Sequence, residues 1–151
     1  MALEIPPNGS HGARMPPGAM LRVGAGVMAG IYRLTGGLVG HSLLLSTVGA
    51  RSGKWRIASL RRFDEGDAAW LVVASAGGQA KQPSWIRNLA HDPDQVWAEV
   101  GRHRFKVRPE ILHDEARTVA WRRIVAEASQ FGGYETKTDR EIPVVRLARE
   151  G

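Results

Sequence analysis

Four short stretches of this chain combine residue types that can bind or transform a small molecule. The first is G-A-R-S-G-K at 49–54, followed by Trp55 and Arg56. Gly49 and Gly53 let backbone N–H groups converge, Ser52 adds a hydroxyl, and Arg51, Lys54 and Arg56 add charge, so this turn can hold an anion. As a plain surface turn, the same residues would simply be solvated. No G-x-x-x-x-G-K-[ST] pattern is present and no helix follows, so the turn is not a P-loop. The second stretch is S-A-G-G at 75–78 followed by Lys81, where backbone can approach a planar or charged ligand and Ser75 offers a hydroxyl. The third holds Trp85 and Asn88, about one helical turn apart, either as a ligand wall or as a core tryptophan beside a capping or solvated asparagine. The fourth runs from Tyr134 to Arg140, where a phenol in a glycine-containing loop can donate a proton or serve only as a packing lid.

Elements of regular structure must position these residues. Leu43 to Val48 is an apolar run with β-branched residues bounded by Gly49, which suits a buried strand, and Trp55 to Phe63 is the strand that returns from the basic turn. D-E-G-D at 64–67 is a turn, and Ala68 to Ser75 is a third strand. Pro83 opens a short helix, Ser84 to His91, which Asp92-Pro93 ends. Gln95 to Val100 and Arg102 to Leu112 form a second hairpin through Gly101. Along its return strand Arg102, Arg104, Lys106 and Arg108 alternate with His103, Phe105 and Val107. A helix N-capped by Asp114 follows, carrying Val119, Trp121, Ile124 and Val125. Phe131 to Tyr134 reads as a loop, and Ile142 to Leu147 as the last strand. Runs of antiparallel strands with helices at the margins indicate an α+β fold, and six strands suit a small barrel.

At 151 residues the chain has the length of one domain with a substantial core. Residues 1–18 carry four prolines and three glycines without apolar periodicity, which reads as a disordered or extended leader ahead of a single domain over 19–151. Residues 19–35 read as a helix with Leu21, Met28 and Ile31 on one face. Its apolar stretch is too short to span a bilayer and fits no secretory signal, so the expected location is cytoplasmic. Docking on the domain and peripheral contact with a membrane surface both remain open for that helix. Cysteine is absent, which excludes disulfides, thiolate metal sites and a cysteine nucleophile. The histidines at 11, 41, 91, 103 and 113 show no ligand spacing, so no metal is expected. A net charge of +6 favours a polyanionic or phosphorylated partner. The arginine stripe on the second hairpin is what the solvated face of an antiparallel strand shows, and no nucleic-acid-binding motif accompanies it, so nucleic acid is not the expected partner.

Taken in order, L-L-L-S-T-V-G-A-R-S-G-K-W-R at 43–56, V-V-A-S-A-G-G at 72–78, K-Q-P-S-W-I-R-N-L at 81–89, H-D-P at 91–93 and T-D-R-E-I-P-V-V at 138–145 resemble the deazaflavin-dependent nitroreductase and quinone reductase family. The resemblance implies a six-stranded antiparallel split β-barrel, flavin-reductase-like, with an N-terminal helix and two further helices. It implies an oxidoreductase that moves hydride from reduced coenzyme F-420 to a quinone, enone or nitro acceptor; flavin mononucleotide, used by related barrels, is the competing coenzyme. By position, Arg51, Ser52, Gly53, Lys54 and Arg56 would hold the coenzyme's phosphate and polyglutamate tail. Ile57, Ala58, Ser59 and Leu60 would continue beneath it from Arg56. Val73, Ala74, Ser75 and Ala76 would line the deazaflavin ring, and Trp85 and Asn88 would flank it from the other side. Phe131 and Tyr134 would belong to a loop over ring and substrate, with Tyr134, Ser75 or solvent as proton donor. Ala50, Ser59, Ala76 and Ile86 depart from the usual family residues, and the missing cation at 50 implies weaker tail binding. The alternative is a non-catalytic module of the same barrel that binds the deazaflavin or an apolar ligand such as a fatty acid.

Overall fold

The computed structural model describes residues 3–12, 41–75 and 82–150. Among these residues seven strands form one antiparallel sheet: β1 (Ser42–Val48), β2 (Trp55–Arg61), β3 (Phe63–Glu65), β4 (Ala69–Val73), β5 (Val96–Val100), β6 (His103–Ile111) and β7 (Val144–Arg149). Their order across the sheet is β2-β1-β5-β6-β7-β4-β3. Among the described residues three helices accompany them: α1 (Ser84–His91), α2 (Asp114–Glu127) and α3 (Gln130–Lys137). The fold is α+β.

The expected six strands are seven because the segment 55–63 is two strands. β2 pairs with β1, whereas β3 pairs with β4 at the opposite edge of the sheet. Arg62 alone separates them, its N–H donating to the His41 carbonyl at 2.8 Å and its guanidinium bonding the Asp64 carboxylate and the Ser42 carbonyl. A one-residue link between the two edges forces the sheet to curl until they nearly meet, which gives a half-barrel. No glycine or proline marks this crossing in the sequence, so a reading from punctuation runs straight through it.

Curling divides the apolar residues between two cores. Leu43, Leu45, Trp70, Val72, Val96, Ala98, Val107, Val145 and Leu147 face the interior, where Trp85, Ile86 and Leu89 of α1 join them. Leu71, Val73 and Val144 face the other way and pack with Ala120 and Ile124 of α2 and Phe131 of α3. β4 is thus buried on both faces, which explains its unbroken apolar run.

The segment 131–134, expected as a loop, lies within α3. Two adjacent glycines disfavour a helix by about 1 kcal/mol each, but packing overrides that here. Phe131 is buried edge-on to Phe63 at 5.8 Å between ring centroids. Gly132 lies against Val125 of α2, where an added Cβ would stand 3.4 Å from a methyl carbon. At the start of α2, His113 rather than Asp114 occupies the N-cap position.

Residues 3–12 have no regular structure, yet they do not behave as a chain without packing partners. The Leu3 N–H donates to the Ala90 carbonyl at 2.7 Å, and Leu3 and Ile5 pack against the interior core. Farther along, Asp139 accepts from the Ser10 N–H at 2.7 Å, from the Ser10 hydroxyl and from the His11 N–H at 3.2 Å. Gly9 is fitted to this contact: a Cβ there would lie 2.8 Å from the Arg140 nitrogen. Residues 3–12 of the expected disordered or extended leader are held mainly by hydrogen bonds of their own backbone, which leave no apolar period to read. The rest of that leader and the expected helix over 19–35 lie outside the described residues.

These hydrogen bonds, the Ser10 hydroxyl first and then the two backbone N–H groups, hold the Asp139 carboxyl well below its ordinary 3.8. A depressed folded-state pKa makes the contribution complete above about pH 4 and removes it as pH falls through the folded-state value. The protection of amides in residues 3–12, measured against the intrinsic exchange rate at each pH, is therefore expected to fall as the protein is acidified below pH 4. In Asp139→Asn that acid dependence should vanish. An unchanged acid response in Asp139→Asn would show that another group fastens the segment.

Candidate active site

The basic turn is built by its own hydrogen bonds. The Gly49 N–H donates to the Lys54 carbonyl at 2.8 Å, the Gly53 N–H returns to the Gly49 carbonyl at 2.9 Å, and the Lys54 N–H reaches the Ser52 hydroxyl at 3.2 Å. Gly53 sits at φ +69°, where a side chain is strained. A Cβ on Gly49 would lie 2.6 Å from the Ser52 hydroxyl oxygen, so a side chain there would displace that hydroxyl from its place in the turn. The Ala50 N–H donates to the Asn88 side-chain oxygen at 3.0 Å. Convergent backbone N–H groups were the expected anion donors, but those of Gly49, Ala50, Gly53 and Lys54 are all engaged within the protein. Those four amides are not available to an anion, and the charge of the side chains supplies attraction in their place. Arg51 and Lys54 are exposed, Arg56 is half-buried, and among the described residues no carboxylate pairs with any of them.

β2 carries that charge into the barrel. Its register pairs Arg56 with Thr47, Ala58 with Leu45 and Leu60 with Leu43. Directly opposed residues share a face, so Arg56, Ala58 and Leu60 look toward the interior. Ile57 and Ser59 look away, and Ile57 packs with Leu44 in a small separate cluster. Every residue from Arg56 to Leu60 is half-buried, and β2 has a strand neighbour on one side only among the described residues. α1 packs on both β1 and β2. Trp85 belongs to the same interior core as Ala58, Leu60 and Ala74. Asn88 is buried, its amide nitrogen directed at the Thr47 hydroxyl at 3.4 Å and its oxygen holding the turn.

The structure therefore brings the basic turn, the inner face of β2, Ala74, Trp85 and Asn88 to one region. Other expected site residues fall elsewhere. Val73 points into the helix-side core with Phe131, and Ala74 points into the interior. What these neighbours can share toward one ligand is backbone rather than side chains. Tyr134 is half-buried in α3, its ring edge-on to Phe131 at 5.5 Å, with the Lys137 ammonium 5.7 Å from the ring centroid. Both aromatics line the outer core beside β4 instead of a loop above the sheet. Ser75 is half-buried just beyond β4, and its carbonyl accepts a hydrogen bond from Arg140. Ala76, the two glycines after it and Lys81 lie outside the described residues.

Gln82 and Arg140 were not singled out as separate site residues from the sequence. Both are buried, at 2% and 5% exposure, and together they fix the end of β4. Their signal was present in the K-Q-P-S-W and T-D-R-E-I-P stretches, but not in a spacing that announces chemistry.

Exposed cations beside an apolar, half-open strip fit a flat coenzyme with a polyanionic tail by the chemistry of the donors. Comparison with known proteins agrees. The family model described as F420H(2)-dependent quinone reductase matches residues 26–149. The F420H(2)-dependent quinone reductase Rv1261c of Mycobacterium tuberculosis is 42% identical over 130 residues, covering 79% of this chain and 85% of that protein. Among solved structures, the F420-H2 dependent reductase FDR-A is similar at a TM-score of 0.63 and 35% identity, covering 71% of this chain and 93% of that one. A structure described as a domain-swapped dimer is similar at a TM-score of 0.65 and 32% identity, covering 81% and 94%. Motifs, fold and relatives agree, and the chain belongs to the F420H(2)-dependent quinone reductase family.

Proposed function

We propose that this chain reduces a quinone with hydride from reduced coenzyme F-420, the coenzyme lying along β2 with its tail at the basic turn. The observation that carries this reading is the set of three cations without carboxylate partners at the end of a half-buried edge strand that faces the Trp85 core. Arg51, Lys54 and Arg56, with Ser52 and Gly53, bind the tail. The strip from Arg56 through Ile57, Ala58, Ser59 and Leu60 supports the coenzyme from below. Val73, Ala74, Ser75 and Ala76 bound the ring's reacting end, and Trp85 and Asn88 close the opposite side. Phe131 acts through the packing of β4.

When bound, the coenzyme supplies the hydride. The protein's tasks are to orient the acceptor, keep water out of the gap and move one proton. A quinone that accepts hydride becomes a hydroquinone anion, which needs one proton on oxygen. Ser75 and Tyr134 are the protein donors carried by this reading, with solvent as the third source. Enones and nitro compounds would be reduced through the same geometry. The reading is of a cytoplasmic enzyme; any membrane contact rests on 19–35, outside the described residues.

Reduced coenzyme mixed with the protein should return to its oxidised absorbance when menadione is added, and stay reduced without it. Binding with no menadione-dependent oxidation would favour the non-catalytic module, and tighter binding of flavin mononucleotide would overturn the coenzyme assignment.

A donor in the transition state contributes roughly 10-fold to 100-fold to the rate. Tyr134→Phe keeps the ring packed on Phe131 and removes only the phenol. It is expected to lower turnover about 10-fold with coenzyme affinity unchanged, and Ser75→Ala to do likewise if the serine donates. Should both variants keep full turnover while hydride transfer limits the rate, the proton comes from water.

A further inference from the structure

The end of β4 is gripped from behind. The Arg140 guanidinium donates to the Ala74 carbonyl at 3.0 Å, to the Gln82 side-chain oxygen at 2.9 Å and to the Ser75 carbonyl. Gln82 in turn shares the two hydrogens of its side-chain nitrogen among the carbonyls of Pro6 at 3.3 Å, Pro7 at 3.4 Å and Glu141 at 3.2 Å. Its backbone N–H reaches the Asn8 side-chain oxygen at 2.8 Å. The Thr138 hydroxyl donates to the His11 carbonyl at 2.7 Å and accepts from the Arg140 N–H at 3.3 Å. Together with the Ser10–Asp139 contacts and the close fit at Gly9, these bonds lay residues 6–11 directly over Gln82 and 138–140.

We propose that Arg140 and Gln82 are positioning residues through which the N-terminal segment 3–12 sets the backbone at Ala74 and Ser75, the wall of the coenzyme site.

Three physical points support this. A buried guanidinium has a planar fork of donors with fixed geometry, so it places two successive carbonyls relative to each other. Burial lowers the Arg140 pKa, yet an arginine stays charged across the working range, so its grip does not depend on pH. Gln82 bonds both the fork and the N-terminal segment, so displacement of 6–8 removes acceptors from Gln82 and frees it to turn away from Arg140. The position of residues 74–75 is thus tied to a segment far away in sequence.

The link to the coenzyme rests on the proposed function, but the mechanical link does not, and the test separates them. In the protein without coenzyme, the Ala74 amide bonds the Pro143 carbonyl at 3.0 Å and reports on the end of β4. Gly9→Ala crowds Asp139 and Arg140, and Asp139→Asn weakens the same attachment with no added bulk. Each is expected to raise exchange at Ala74 at least tenfold, with exchange at Leu45 in β1 unchanged as a check on the global fold. Faster exchange at Leu3 with an unchanged rate at Ala74 in both variants would overturn the coupling. With coenzyme F-420, the same variants should raise the dissociation constant severalfold and shift the absorbance of the bound coenzyme, and Arg140→Lys should recover part of what Arg140→Gln loses. If exchange responds as expected but the unmodified protein binds no coenzyme, the mechanical link stands and the coenzyme assignment falls. If exchange responds while affinity and absorbance do not, residues 74–75 are no part of the coenzyme site and the proposal is overturned.

Discussion

Replacing Arg51 and Arg56 together with alanine is expected to weaken coenzyme binding by about 2 kcal/mol or more at low salt, roughly 30-fold. Four of the turn's backbone amides cannot compensate, because those at 49, 50, 53 and 54 already have partners within the protein. Lys54 alone would then face the polyanionic tail. Charges as exposed as Arg51 are screened within about 10 Å at ordinary ionic strength, so the binding of the unmodified protein should fall steeply with salt and that of the double variant less so. Stability should stay within about 0.5 kcal/mol, because neither arginine forms an ion pair among the described residues. The two readouts separate binding from folding. Unchanged affinity at low salt would mean that the turn is a solvated hairpin end and that the tail lies elsewhere.

The parts of this molecule that were legible in its sequence are those whose signal is local. β1 announced itself by an apolar run ending at Gly49, and α1 by Pro83 before and Asp92-Pro93 after. The alternation of Arg104, Lys106 and Arg108 with Phe105 and Val107 appears on β6 as expected, Arg108 exposed and Val107 buried, while Arg102 lies in the turn before the strand. Where the outcome was set by distant partners, the sequence said less. Nothing local shows that Leu60 belongs to one edge of the sheet and Phe63 to the other, since that follows from pairing with β1 and β4. The α3 helix forms against the propensity of Gly132 and Gly133 because Phe131 finds Phe63 and Gly132 finds Val125. Residues 3–12 attach largely by hydrogen bonds between their own backbone and side chains more than fifty positions away, which no periodicity can reveal.

The candidate site was legible in the same uneven way. The basic turn, Trp85 and Asn88 were identified separately and meet in the structure, because the register of β2 on β1 turns Arg56 and Ala58 toward the face that α1 covers. The aromatic pair Phe131 and Tyr134 was expected on a loop and lies on α3, packed beside β4. A strand reverses its side chains at every residue, so Val73 and Ala74 serve different cores although they are neighbours in one motif.

Asn88→Leu is expected to lower both stability and coenzyme affinity. Asn88 is 7% exposed and lies between Thr47, 1% exposed, and the Ala50 N–H at the entrance to the basic turn. Leucine matches its size but offers neither acceptor nor donor. The variant leaves a buried hydroxyl and a backbone N–H without their partner, at about 1–3 kcal/mol for the loss. For a chain of this length, 2 kcal/mol corresponds to a fall in Tm of roughly 5 °C. With its tie to α1 gone, the turn samples more conformations, and Arg51 and Lys54 must be ordered when the tail binds, which raises the dissociation constant about tenfold for each 1.4 kcal/mol of ordering. Asn88→Asp separates the two hydrogen bonds. A carboxylate still accepts from the Ala50 N–H, so the turn should stay in place, but its negative charge opposes the tail nearby and should weaken binding further as salt falls. Thermal unfolding and coenzyme titration at two salt concentrations would measure both effects. If Asn88→Leu loses binding with Tm unchanged, Asn88 touches the coenzyme itself and its bond to Ala50 is incidental; if Tm falls while affinity holds, the turn does not bind the tail.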